Sequence, residues 1–159
     1  MGFKQIILAV ICSIMVGCAS KQPNQPHIYT NNAHSFSIQY DQAFEPMPHS
    51  SGYTLLKCEA YQRIMSITAN PIQTPVNLNN ASDRNQLLHE VGITGIIETT
   101  AIAIQGQEGL LVRTQINRNQ TSHYLVATPT HLIAFNFKST RPNMQWAEDI
   151  MATLHWANP

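Results

Sequence analysis

From Thr99 to Ser139 the chain runs through four strand-like segments with only short breaks between them, and this stretch constrains the fold more than any other. Thr99 to Gln105 leads through the Gly106-Gln107-Glu108-Gly109 turn into Leu110 to Ile116. Ser122 to Thr128 then continues through Pro129-Thr130 into His131 to Ser139. These segments are rich in β-branched and apolar residues, and the connections between them are too short for the crossover that parallel strands require, so they predict an antiparallel meander. If Thr128 pairs with His131, Val126 falls opposite Ile133 and Tyr124 opposite Phe135 on one face. The other face carries Leu125, Ala127, Leu132 and Ala134, more apolar than a solvent-facing side needs. A sheet that is apolar on both faces is covered on both, which predicts helices on either side.

Two helices are available. Ser82 to about Val91 has Asp83 in its first turn, an apolar stripe of Leu87, Leu88 and Val91, and Gly92 placed to end it. About Asn143 to Trp156 has Trp146, Ala147, Ile150, Met151 and Leu154 at helical spacing. Upstream, Phe36, Ile38 and Tyr40 alternate with Ser35, Ser37 and Gln39 as a half-buried first strand, which the two prolines within Asp41 to Ser51 interrupt. Tyr53 to Tyr61 and Ile64 to Ala69 read as further strands, ending at a break from Pro71 to Pro75. The expected fold class is α+β, an antiparallel sheet flanked by helices, in one globular domain over residues 35–159.

The first residues carry an address. Lys4 is the only early charge, and the apolar run Ile6 to Val16 behind it is too short to span a bilayer. A short apolar run after a basic start reads as a secretory signal peptide, with the small residue Gly17 at the cut. Met15-Val16-Gly17-Cys18 resembles a bacterial lipobox. The resemblance implies that residues 1–17 are removed by cleavage between Gly17 and Cys18. It also implies that Cys18 becomes a lipoprotein anchor bearing diacylglycerol and an amide-linked acyl chain such as palmitate. Several acyl chains hold far more firmly than one, at about 0.8 kcal/mol per buried methylene. Ala19 and Ser20 do not resemble the Asp that retains such proteins in the inner membrane, which places the chain on the outer membrane, most simply facing the periplasm. Residues 18–34 read as anchor and flexible tether: Ala19 to His34 is rich in Asn, Gln and Pro, and sixteen such residues span on the order of 20 Å.

The order of elements resembles the PsbP-like family of α/β/α sandwiches over roughly residues 35–157. The resemblance is carried by His34-Ser35-Phe36-Ser37-Ile38-Gln39-Tyr40, the Ile104-Gln105-Gly106 turn entry, Leu132-Ile133-Ala134-Phe135-Asn136-Phe137, and Trp146 to Trp156. None of these is a catalytic motif. The resemblance implies a non-enzymatic binding module, by analogy of architecture alone.

Lys plus Arg and Asp plus Glu are nine each, charged residues make up 11% of the chain, and no like-charge run occurs, which argues against nucleic acid as a partner. With Cys12 in the signal and Cys18 acylated, Cys58 has no disulfide partner, and its apolar surroundings predict a buried, inert thiol. Seven histidines form no metal-binding motif. His27, His34 and His49 fall in the tether and first loop, His89-Glu90 sits on the middle helix without a nucleophile beside it, and the expected pairing sets His123 opposite Asn136, far from His131. No cofactor and no metal are expected.

These observations predict a membrane-anchored envelope protein that binds an envelope protein partner without catalysis. One alternative is a small enzyme whose site is assembled from scattered polar residues such as His123, Asn136 and Arg113. Another is a carrier of a small apolar ligand, with Trp146, Met151 and Phe137 lining a cavity, although those three fit a packed core better.

Overall fold

The computed structural model describes residues 25–41, 43–47 and 54–157. Met15 to Ser20, with the cleavage site and Cys18, lie outside the described residues, as does His49.

Among the described residues, ten strands and two α-helices follow in the order β1 (His27–Asn31), β2 (Phe36–Tyr40), β3 (Glu45–Met47), β4 (Thr54–Cys58), β5 (Arg63–Pro71), α1 (Ala81–Glu90), β6 (Ile96–Ile104), β7 (Gln107–Ile116), β8 (Asn119–Ala127), β9 (His131–Ser139), α2 (Gln145–Met151) and β10 (His155–Trp156), with a single 3-10 turn (Glu59–Tyr61) between β4 and β5. Seven strands form one antiparallel sheet in the order β3-β4-β5-β9-β8-β7-β6, and β1-β2-β10 form a second, smaller sheet. The architecture is mostly antiparallel sheet with two short helices, so sheet dominates more than the expected sandwich implied.

The meander pairs as its turns dictate. Val126 lies opposite Ile133 and Tyr124 opposite Phe135, as expected. The β6–β7 turn is tighter than expected: Ile104 pairs with Gln107, leaving only Gln105 and Gly106 between them, at φ 49° and 83°. Two successive positive φ values make the turn whose twist suits a hairpin, and Gly106 adopts its value without strain. Pro71 ends β5 without costing a ladder bond. The next residue, Ile72, donates its N–H to the Thr130 carbonyl (3.0 Å), so the Pro71 ring faces the other, open side beyond the end of β4.

Both faces of the large sheet are covered. On one, Leu110, Val112, Leu125, Leu132 and Ala134 pack under Leu87 and Leu88 of α1 and under Leu78. Asn80 caps α1, its Oδ1 accepting from the N–H groups of Ser82 (2.8 Å) and Asp83 (3.3 Å). Gly92, at φ 70°, closes the helix, with its N–H donating to His89 O and the Ile93 N–H to Leu88 O. These are the paired bonds of a glycine-terminated helix. The other face, with Met65, Ile67, Tyr124, Val126, Phe135 and Phe137, meets Trp146, Ala147 and Ile150 of α2 together with Phe36 and Ile38 of the small sheet.

Three expectations are corrected. The tether, expected over residues 18–34, loses its second half to β1, whose His27 stacks on Tyr40 (5.5 Å) and whose Tyr29 tilts against Phe36 (6.2 Å). Among the described residues the first strand therefore starts at His27, not at residue 35. The closing helix, expected to reach Trp156, ends at Met151. There the Thr153 hydroxyl donates to Ile150 O (2.7 Å) and its Oγ1 accepts the Gln39 N–H (2.9 Å), and residues 155–156 turn out to pair with β2. The loop expected over Asp41 to Ser51 contains the short strand β3, which tolerates Pro46 because it lies at the edge of the sheet.

Candidate functional site: a polar row across the sheet

The α1-covered face changes character along its length. One end is Leu, Val and Ala beneath the helix; at the other, the register sets Ser66 beside Asn136, Asn136 beside His123, and Thr114 two residues along from His123's partner Val112. Helix α1 does not reach this end, and the Val91–Thr94 segment that follows it overhangs a recess of about 390 Å³. Thr68, Asn70, Thr114, Thr121, His123 and Asn136 supply its polar lining, and no Asp, Glu, Lys or Arg takes part.

Hydrogen bonds link the row side to side. His123 Nδ1 is 2.8 Å from Asn136 Oδ1, His123 Nε2 is 3.3 Å from Thr114 Oγ1, and Asn136 Nδ2 donates to Ser66 Oγ (3.4 Å). An amide oxygen only accepts, so Nδ1 carries the proton and the Nε2 lone pair receives the Thr114 hydroxyl. Burial pushes the His123 pKa below its ordinary value, with the Asn136 hydrogen bond opposing this in part. The imidazole is thus held neutral, in one tautomer, within an uncharged recess.

Of the three polar residues named as a possible scattered site, the fold joins two. Arg113 pairs with Ser122, one position off His123's register, so its side chain emerges on the opposite face. There Nη1 lies 2.7 Å from Glu98 Oε2 and Nη2 3.3 Å from Glu148 Oε1, both exposed partners. The residues missed were Thr114 and Ser66. Thr114 could have been found by extending the alternation of Leu110 to Ile116 onto His123; Ser66 required knowing that β9 pairs with β5, which local pattern does not reveal.

The apolar candidates fill space. Phe137 is fully buried, and Trp146 packs against it edge to face (5.3 Å) and stacks on Phe44 (5.5 Å), with the Arg63 guanidinium 5.1 Å from the indole ring. Met151 is buried in the same cluster. Cys58 is buried and free. His34 meets His131 edge to face at 4.6 Å, so it belongs to the domain and not to a tether. Its pKa is lowered, first by burial and then by the His131 charge. Glu90 accepts a hydrogen bond from Gln86 on the exposed side of α1. Among the described residues, no three His, Cys, Asp or Glu side chains gather as a metal site.

No protein-family profile matches the sequence, and no curated protein matches it. Solved structures do. Cyanobacterial PsbP (CyanoP) from Synechocystis, a solution structure, superposes with a TM-score of 0.62 at 10% identity, over 89% of this chain and 98% of that one. A Bacteroides thetaiotaomicron protein, solved crystallographically at 1.50 Å, superposes with a TM-score of 0.59 at 13% identity, over 82% of this chain. The present chain spans about half (48%) of the Bacteroides protein's length. At such identities the likeness is one of architecture, and it establishes that the fold is PsbP-like.

Proposed function

We propose that this chain is a lipid-anchored bacterial envelope protein that binds a partner in the envelope and performs no chemistry on it. The anchor is Cys18 in its lipobox-like context, and Ala19 and Ser20 after it favour the outer membrane, with the domain facing the periplasm. Residues 19–26 separate that cysteine from β1, and eight residues of tether span on the order of 16 Å by the rule that gives about 20 Å for sixteen. In this reading the domain works close to the bilayer, on a shorter leash than the sequence alone implied.

The observation that carries the binding role is the engagement of both His123 ring nitrogens, by Asn136 and Thr114, in a recess without a charged group. Such a surface offers shape and neutral hydrogen bonds. Fatty-acid labelling of the protein, abolished by Cys18→Ala, tests the anchor. In-cell cross-linking tests the partner: one envelope protein should be captured reproducibly by the intact chain, less so by Cys18→Ala and by His123→Ala. A substrate turned over by the purified protein would sink this reading.

One observation favours a second reading. Hydroxyl, imidazole and amide stand in the order nucleophile, base and orienting group along Thr114, His123 and Asn136. A small envelope hydrolase built on that row would acylate at Thr114. Labelling there by a hydroxyl-directed acylating probe, lost in Thr114→Val, would support it; Thr114 is almost fully buried, which weighs against it.

A further inference from the structure

The two edges of the large sheet are built differently. The edge at β3 is three residues long and contains Pro46. The edge at β6 is nine residues, Ile-Ile-Glu-Thr-Thr-Ala-Ile-Ala-Ile, with no Pro, Lys or Arg, and seven of those residues are exposed. Natural sheets shorten, charge or cover such an edge, because its free N–H and C=O groups template another strand. Here one edge is short and interrupted by Pro46, while the other has a register shift between Ile96 and Glu98 and is open from Glu98 onward. Ile96, Ile97 and Ile116, three of the six exposed large apolar side chains among the described residues, cluster at that same edge.

We infer that β6 is a self-association edge, pairing antiparallel with β6 of a second copy about a two-fold axis at Thr100. The chemistry of the edge specifies an extended strand as the occupant, and the sequence of β6 fits its own reverse. Centred on Thr100, the regular stretch Glu98 to Ile102 falls opposite itself, with Thr99 opposite Ala101, and the register shift between Ile96 and Glu98 lies outside it. The strand's single charge, Glu98, faces Ile102 of the other copy and not its own equivalent. Arg113 already neutralises Glu98 within its own chain, with Nη1 2.7 Å from Oε2. No like charges meet, and the two large sheets become one of fourteen strands. The new regular ladder, about 3.3 Å per residue over the five residues Glu98 to Ile102, runs on the order of 17 Å. This pairing stands independently of the polar recess and of the anchor at Cys18.

Cysteine cross-linking of the full chain in a bacterial envelope tests it. Thr100→Cys places two thiols across the axis at a Cα separation of about 4.5–5.5 Å, within disulfide reach, so mild oxidation should give a covalent dimer. Glu45→Cys, at the opposite edge, should give none. Thr99→Lys with Ala101→Lys, added to Thr100→Cys, sets lysine against lysine twice and should cut the cross-linked fraction about tenfold. Thr99→Glu with Ala101→Lys sets opposite charges there and should restore it. Protection of Cys58 from thiol reagents in each variant shows that the fold is intact. Three results would overturn the inference: no dimer from Thr100→Cys in a folded protein, a dimer indifferent to both charge pairs, or a cross-link from position 100 to a different envelope protein in place of a second copy.

Discussion

His123 and Asn136 occupy directly paired positions on β8 and β9, and the 2.8 Å contact between Nδ1 and Oδ1 fixes the proton on the ring. A ring held neutral by burial is a source of acid sensitivity. Its folded pKa is lowered below 6.5, so the unfolded chain takes up a proton that the folded chain refuses. Stability should be full above pH 6.5 and should fall as pH drops through the folded value. Thermal unfolding at pH 7 and pH 5 checks this: Tm should drop on acidification, and drop less in His123→Gln. Some slope should survive in that variant, because the His34 pKa is lowered in the same direction.

Tyr124 gives the alkaline counterpart. Its pKa is pushed up to about 12, by burial first and then by the Glu148 charge, while Arg113 pulls it down. A raised phenol pKa contributes stability that is present below pH 10 and lost as pH rises toward the folded value. Ultraviolet titration of the folded protein should show a tyrosine step near pH 12, and that step should vanish in Tyr124→Phe.

Phe36 joins the two sheets. Its ring meets Phe135 of the large sheet at 5.2 Å and Trp156 of the small one at 5.6 Å, and it is almost wholly buried. Phe36→Ala should cost about 3–5 kcal/mol, measured by denaturant unfolding. Arg113→Ala, which breaks only exposed ion pairs, should cost less than about 1 kcal/mol in the same assay.

Cys58 is 1% exposed and has no disulfide partner among the described residues. In the folded protein it should resist thiol reagents for as long as the domain stays closed, and it should react at once in denaturant. Fast labelling under native conditions would show that β4 opens locally.

Much of the fold was legible because its signals are local. The Val126–Ile133 register follows from the Pro129-Thr130 turn, and Gly92 marks the end of α1 because a left-handed residue closes that helix. The elements that were misread depend on distant partners. His27 to Asn31 looks like tether because its polar residues outnumber Ile28 and Tyr29, and it becomes a strand only by pairing with β2. Trp156 fits a helical stripe from Trp146, yet pairing with Phe36 and an indole hydrogen bond to Ile104 O (3.3 Å) win over one more helical turn. The candidate site was half legible for the same reason: His123 and Asn136 are hairpin neighbours, whereas Ser66 arrives from a strand far away in sequence.

The strand β2 takes one neighbour from just before it and the other from residues 155–156. During synthesis or export, the second side of β2 therefore stays open until nearly the whole described chain has emerged. Contacts of such sequence separation are slow to form, because the loop entropy is lost before the contact is gained. Maturation should end with a late locking step, and a growing chain stalled before Leu154 would present β2 and its buried phenylalanine to chaperones and proteases instead of to Trp156.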